Sequence, residues 1–113
     1  MKLPNYQNAV ASESKVSGYL LSPSHAYGRL KAAFFTSLGF SADAGQTLAQ
    51  ALLQHASQNE VVRTEDSPFG QRDIVDGELS APDTTYAQVR VIWFIETGQD
   101  VPRLVTAHPL EKA

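Results

Sequence analysis

Residues Tyr86–Glu96 read YAQVRVIWFIE, a run dense in β-branched and aromatic side chains and free of glycine and proline. Such a run reads as a strand, whose side chains alternate between its two faces. Val89, Val91, Trp93 and Ile95 share one face, which is wholly apolar and must be core. Tyr86, Gln88, Arg90, Ile92 and Phe94 share the other, which is mixed and suits a sheet covered at one end and open at the other. Downstream, the turn TGQD (97–100) leads to a last strand, Arg103–Ala107. Upstream, PDTT (82–85) turns back into a partly polar strand, Gln71–Leu79, and SPFG (67–70) turns back again into Glu60–Glu65.

Before Asn59 the apolar period is helical. Ser12 or Glu13 opens a short helix carrying Val16, Tyr19, Leu20 and Leu21, which stops before Pro23. A second helix is expected from about Ser24, with Tyr27, Leu30, Phe34 and Leu38 as its buried stripe and Gly39 as its left-handed exit. Ser41 caps a third, running through Leu48, Leu52 and Leu53 to about Ser57, with His55 on its polar face. Helices first and an antiparallel meander after them predict an α+β domain in two layers. The helical part covers about 12–57 and packs on a sheet of about four strands over about 60–108, all in one domain, 1–113. The expected core sets Val89, Val91, Trp93 and Ile95 against Leu30, Phe34, Leu48 and Leu52.

At 42% hydrophobic and 19% charged residues the composition is that of a globular chain rather than a disordered one. The absence of cysteine excludes a disulfide framework, thiol catalysis and thiolate metal sites. The opening MKLPNYQNAVASESK lacks the apolar core of a secretory signal, and Val89–Ile95 is far too short to span a bilayer. The expected location is therefore the cytoplasm, although a domain exported by other machinery would look no different. A net charge of −3 counts against a large nucleic-acid footprint, but the charge is unevenly spread. Lys2, Lys15, Arg29 and Lys31 face only Glu13 and Asp43 before residue 60, whereas residues 60–100 are strongly acidic.

Several motifs carry a family resemblance: LPN (3–5), H-x-x-G-R-x-K-A-x-F-F-x-S-L-G-F (25–40), FG (69–70), VDG (75–77), V-R-x-x-W (89–93) and PRLVTAHP (102–109). Over roughly residues 3–110 the chain resembles a family of small prokaryotic domains of unknown function. Such domains are associated with polymorphic toxins and phage-head proteins. The resemblance implies a toxin with a small antitoxin or immunity protein as partner. The helices-then-sheet order looks like the barnase/RelE-like group of metal-independent ribonucleases, which implies an RNA substrate.

The residues themselves allow that chemistry. Metal-free RNA cleavage needs a base for the 2′-hydroxyl, an acid for the leaving oxygen, and cations for the charge on phosphate. His25 is the candidate base, since imidazole titrates near neutrality and the residue opens a helix. His108 is the candidate acid, and Thr106 can orient substrate or donate to phosphate. Arg29, one turn after His25, is the candidate phosphate clamp, with Lys31 and Arg103 as further substrate-binding cations. Arg90 interrupts an apolar strand and must have a partner: phosphate, or a carboxylate such as Glu65, Asp73 or Glu78. No cofactor, metal or membrane is called for. Asp73, Asp76 and Glu78 offer a weaker magnesium-binding alternative. The competing function is a non-catalytic protein-interaction or antitoxin-like module, motivated by the acidic middle segment and the mixed strand face.

Overall fold

A computed structural model describes residues 1–25, 29–83 and 86–110. A 3₁₀ turn, Tyr6–Asn8, precedes α1 (Glu13–Lys15), which runs directly into a π-helical turn, Val16–Leu20. The Leu21 amide donates to the Val16 carbonyl at 2.9 Å, five residues back, which widens the turn. Helix α2 (Arg29–Ser37) follows, then a 3₁₀ turn, Ala42–Ala44, and α3 (Gly45–Gln58). Strands β1 (Val61–Ser67), β2 (Gly70–Ser80), β3 (Tyr86–Glu96) and β4 (Arg103–Pro109) complete the chain. They form one antiparallel sheet in the order β1-β2-β3-β4.

The expected α+β architecture, with helices on a four-stranded antiparallel sheet, is the observed one. Val89, Val91 and Trp93 are fully buried, and Ile95 is half-buried. By register, Val75 and Ala107 flank Val91, and Asp73 and Leu104 flank Trp93. Against this face pack Val16, Leu20, Leu21, Phe35, Phe40, Leu48, Leu52 and Ala56. The N-terminal segment ties the layers together. The Val61 amide donates to the Met1 carbonyl at 2.7 Å, and Val10 bonds on both sides of Arg103 through the Pro102 carbonyl and the Leu104 amide.

Helix α2 is rotated from the expected phase. Leu30 is 79% exposed, while Ala32 and Phe35 are buried and Phe34 and Leu38 lie at the margin of the core. Adjacent phenylalanines offer two phases, and the ring of Phe35, set edge-on to Phe40 at 6.3 Å, takes the inner position. The helix exit is as expected. Gly39 has φ 98°, its amide bonds the Thr36 carbonyl, and the Phe40 amide bonds the Phe35 carbonyl, a paired closure that requires left-handed backbone. The expected start near Ser24 and the stripe residue Tyr27 involve 26–28, which lie outside the described residues.

His55 overturns its expected place on a polar face. Its side chain is 1% exposed, and Nε2 lies 3.0 Å from the Val89 carbonyl and 3.2 Å from that of Gly77. Two acceptors at Nε2 require that nitrogen to carry the proton, so Nδ1 is the lone-pair nitrogen, buried without a partner among the described residues. Gly77 lies within β2, and a Cβ there would run into the Asn59 side chain. The bare backbone is what lets the C-terminal end of α3 reach the strand.

Candidate active site

The π-helical turn projects Tyr19 toward the β4 edge of the sheet. Lys31 of α2 donates to the Tyr19 phenol oxygen at 3.0 Å, and the Thr106 hydroxyl lies 3.4 Å from the same oxygen. The imidazole of His25 stands edge-on to the Tyr19 ring, with centroids 5.0 Å apart. The ammonium groups of Lys15 and Lys31 lie 5.6 and 5.3 Å from the ring centroid. An open cleft of about 560 Å³ is lined by Ser14, Lys15, Gly18, Tyr19, His25, Val105 and Thr106. Chain positions nearly ninety residues apart therefore meet around one phenol.

Local backbone irregularities set this geometry. In the β3–β4 ladder Ile92 pairs with Thr106 but Trp93 pairs with Leu104, leaving Val105 as an extra residue. That bulge lies on the cleft wall, beside the π-helical turn that carries Tyr19. Bulges and π-turns both re-aim side chains at the cost of regular hydrogen bonding.

Electrostatics tune the phenol. Burial raises the pKa of Tyr19, but hydrogen bonds with Thr106 and Lys31 and the charges of Lys31 and Lys15 outweigh it. The net effect holds Tyr19 below the usual tyrosine range. A second hollow adjoins the cleft and shares Lys15 and Val105 with it; Arg72 and Arg103 line its far side with Phe94. Among the described residues neither hollow is lined by a carboxylate, so this edge is locally basic on a chain of net charge −3. Another hollow of about 560 Å³, between α1 and the start of α3, is lined by Glu13 and Asp43 and by no cation among the described residues.

The remaining sequence candidates are dispersed. Arg29 lines a separate hollow with Leu21, Pro23, Thr36 and Phe40. Arg90 is held by Asp76, its register neighbour, through Nε–Oδ1 at 2.8 Å and a second N–H to Oδ2 at 2.9 Å. The partner is thus none of Glu65, Asp73 or Glu78, because only Asp76 lies directly opposite on the same face. The hydrogen bond with Asp76 raises the Arg90 pKa still further. His108 pairs with Arg90 across the ladder, and its Nδ1 lies 3.1 Å from the Pro109 carbonyl oxygen.

The carboxylates of β2 do not converge. Asp73 is buried on the core face and accepts from Thr64 at 2.8 Å and from Gln71 at 2.9 Å. Asp76 and Glu78 take the opposite face by strand alternation. Among the described residues no three His, Asp or Glu side chains are grouped to hold a metal ion. Nor is any helix among them long and apolar enough to cross a membrane.

Sequence reasoning missed Tyr19, which it read as one more apolar residue of the first helix. The available signal was the Lys15–Tyr19 spacing of four residues, which places a cation beside the ring on a helical turn.

The chain belongs to the family described as Domain of unknown function (DUF6883), whose model matches residues 2–111. A comparison with curated protein sequences gives no match. In fold the chain is similar to one chain of the contact-dependent growth inhibition toxin–immunity protein complex from Klebsiella pneumoniae 342. That similarity has a TM-score of 0.72 at 16% identity and covers 95% of this chain and 97% of the other. At that identity it is a likeness of fold.

Proposed function

We propose that this domain is a toxin-like, metal-independent RNA-cleaving enzyme whose site is the Tyr19 cleft. The observation that carries the reading is the meeting of His25 and Thr106, from opposite ends of the chain, on the walls of one cleft flanked by lysines. His25 takes the proton from a ribose 2′-hydroxyl, which then attacks the adjacent phosphorus. Lys15 and Lys31 balance the charge developing on the phosphoryl oxygens, and the Thr106 hydroxyl orients the group. Arg103 and Arg72, in the adjoining hollow, suit the flanking phosphates. Arg90, tied to Asp76, and Arg29, on another hollow, stand outside this assignment.

The similarity to a chain from a toxin–immunity complex supports a toxin role and a small immunity or antitoxin protein as partner. The analogy with barnase/RelE-like ribonucleases, which share the helices-then-sheet order, supports phosphodiester chemistry. Incubation of the purified protein with total RNA under chelator tests the reading. Cleavage by the wild type and its loss in His25→Ala are expected; intact RNA from the wild type would overturn the proposal.

One observation favours a second reading, a non-catalytic protein-interaction or antitoxin-like module. Strand β1 is a sheet edge, and Val62 on it and Phe69 in the turn beyond it are 56% and 77% exposed. An open strand edge with apolar side chains is a template for partner pairing. A protein that binds one dominant partner through β1 and leaves RNA intact would favour this module over the nuclease.

A further inference from the structure

We infer that Tyr19 is the general acid of the cleft, donating its phenolic proton to the 5′-oxygen that leaves phosphorus. The inference rests on the reading of the cleft as an RNA-cleaving site. Sequence reasoning gave the acid role to His108, which pairs with Arg90 across the ladder and is not among the residues that line the cleft.

The hydrogen-bond directions around the phenol set up this role. An ammonium can only donate, so the phenol oxygen accepts from Lys31 at 3.0 Å. The phenolic hydrogen is then directed away from Lys31, toward Thr106 at 3.4 Å or toward an atom bound in the cleft. The Thr106 contact is at the long limit of a hydrogen bond, so a closer phosphodiester oxygen replaces it at little cost. On proton loss the phenolate gains a full charge-assisted bond from Lys31, with Lys15 also near the ring. The groups facing the phenol are Lys15 from α1, His25 from the loop beyond the π-turn, Lys31 from α2 and Thr106 from β4. None of these described groups is anionic, so burial is what opposes phenolate formation, and the cations and hydrogen bonds outweigh it, in keeping with the lowered pKa of Tyr19. An acid shifted toward neutrality is the better catalyst.

The step balances. His25 removes the 2′-hydroxyl proton and the O2′–P bond forms. The P–O5′ bond breaks, with its electron pair going to O5′, which takes the Tyr19 proton. The products are a 2′,3′-cyclic phosphate and a free 5′-hydroxyl, and proton exchange with water restores imidazole and phenol.

The test compares wild type, Tyr19→Phe and His25→Ala on an ordinary RNA linkage and on one with sulfur bridging at the 5′ position. A thiolate leaves without protonation, so only the acid becomes dispensable on the second substrate. Tyr19→Phe should lose about 100-fold or more on the ordinary linkage and return to within several-fold of wild type on the thiolate substrate. His25→Ala should stay impaired on both. An undiminished Tyr19→Phe rate on ordinary RNA overturns the acid assignment while the nuclease reading stands. An equal loss on both substrates also overturns it, since a misshapen cleft behaves that way. A wild type inactive on both linkages overturns the acid assignment together with the nuclease reading.

Discussion

Lys31 and Tyr19 are joined by a 3.0 Å hydrogen bond that ties helix α2 to the π-helical turn and fixes a cation on a phenol oxygen. Through the same bond Lys31 shares a site with His25. Tyr19 is the bridge, touching Lys31 through its oxygen and His25 through its ring.

Removing that cation should return the phenol toward ordinary behaviour. In Lys31→Met the ultraviolet difference titration of Tyr19, identified by subtraction of Tyr19→Phe, should move to higher pH than in wild type. The direction follows from losing both the hydrogen bond and the charge that lower the pKa. An unmoved titration would show that Lys31 does not hold the phenol in solution.

The phase of α2 gives a sharp pair of stability measurements. Phe35→Ala and Trp93→Ala should each cost about 3–5 kcal/mol in denaturant unfolding, since both rings are fully buried. Leu30→Ala, at a 79% exposed position, should change stability by less than about 0.5 kcal/mol. A Leu30 loss as large as that of Phe35 would restore the other phase.

Arg90 and Asp76 should behave as a part-exposed cross-strand pair. A double-mutant cycle with Arg90→Gln and Asp76→Asn should give a coupling of about 0.5–1 kcal/mol, with RNA cleavage within a few-fold of wild type. A folded Arg90→Gln that loses cleavage more than about tenfold would bring Arg90 back into the catalytic machinery.

His55 should make the fold acid-sensitive. Burial lowers its pKa, and its bonds to the Val89 and Gly77 carbonyls and the charge of Asp76 only partly offset this. With the folded pKa below the unfolded value, the unfolded chain binds the extra proton first, so stability rises with pH. The contribution is complete above about pH 6.5, the unfolded value, and is lost as pH falls toward the folded pKa. Protonation would also place an N–H on the partnerless Nδ1 inside the core. Unfolding free energies measured from pH 8 to 5 should therefore fall in wild type and fall less in a folded His55→Gln. Parallel curves for the two proteins would contradict this.

The sheet was legible because alternation over eleven residues of β3 leaves one choice of core face, and every other strand follows from turns counted outward. Helix phase was not, because Phe34 and Phe35 are neighbours and nothing local ranks them. Pairing across β2 and β3 depends on register, which chose Asp76 for Arg90 over Glu78 and Asp73, two and three places away. Of the candidate site, His25, Lys31 and Thr106 were legible as residue types in suggestive places. Tyr19 was hidden because a tyrosine among Val16, Leu20 and Leu21 looks like core until a widened turn and a bulge aim it at Thr106. His55 was hidden for the converse reason. A histidine on a helix reads as polar, and only the packed sheet supplies the two carbonyls that bury it.

The most direct trial of the cleft as an RNA-cleaving site is end-group analysis of RNA exposed to the purified 113-residue chain in excess chelator. Attack by the 2′-hydroxyl with His25 as base should leave 2′,3′-cyclic phosphate and 5′-hydroxyl termini, formed by wild type and not by His25→Ala. Uncut RNA, or fragments ending in 5′-phosphate, would contradict the mechanism and the function proposed for this cleft.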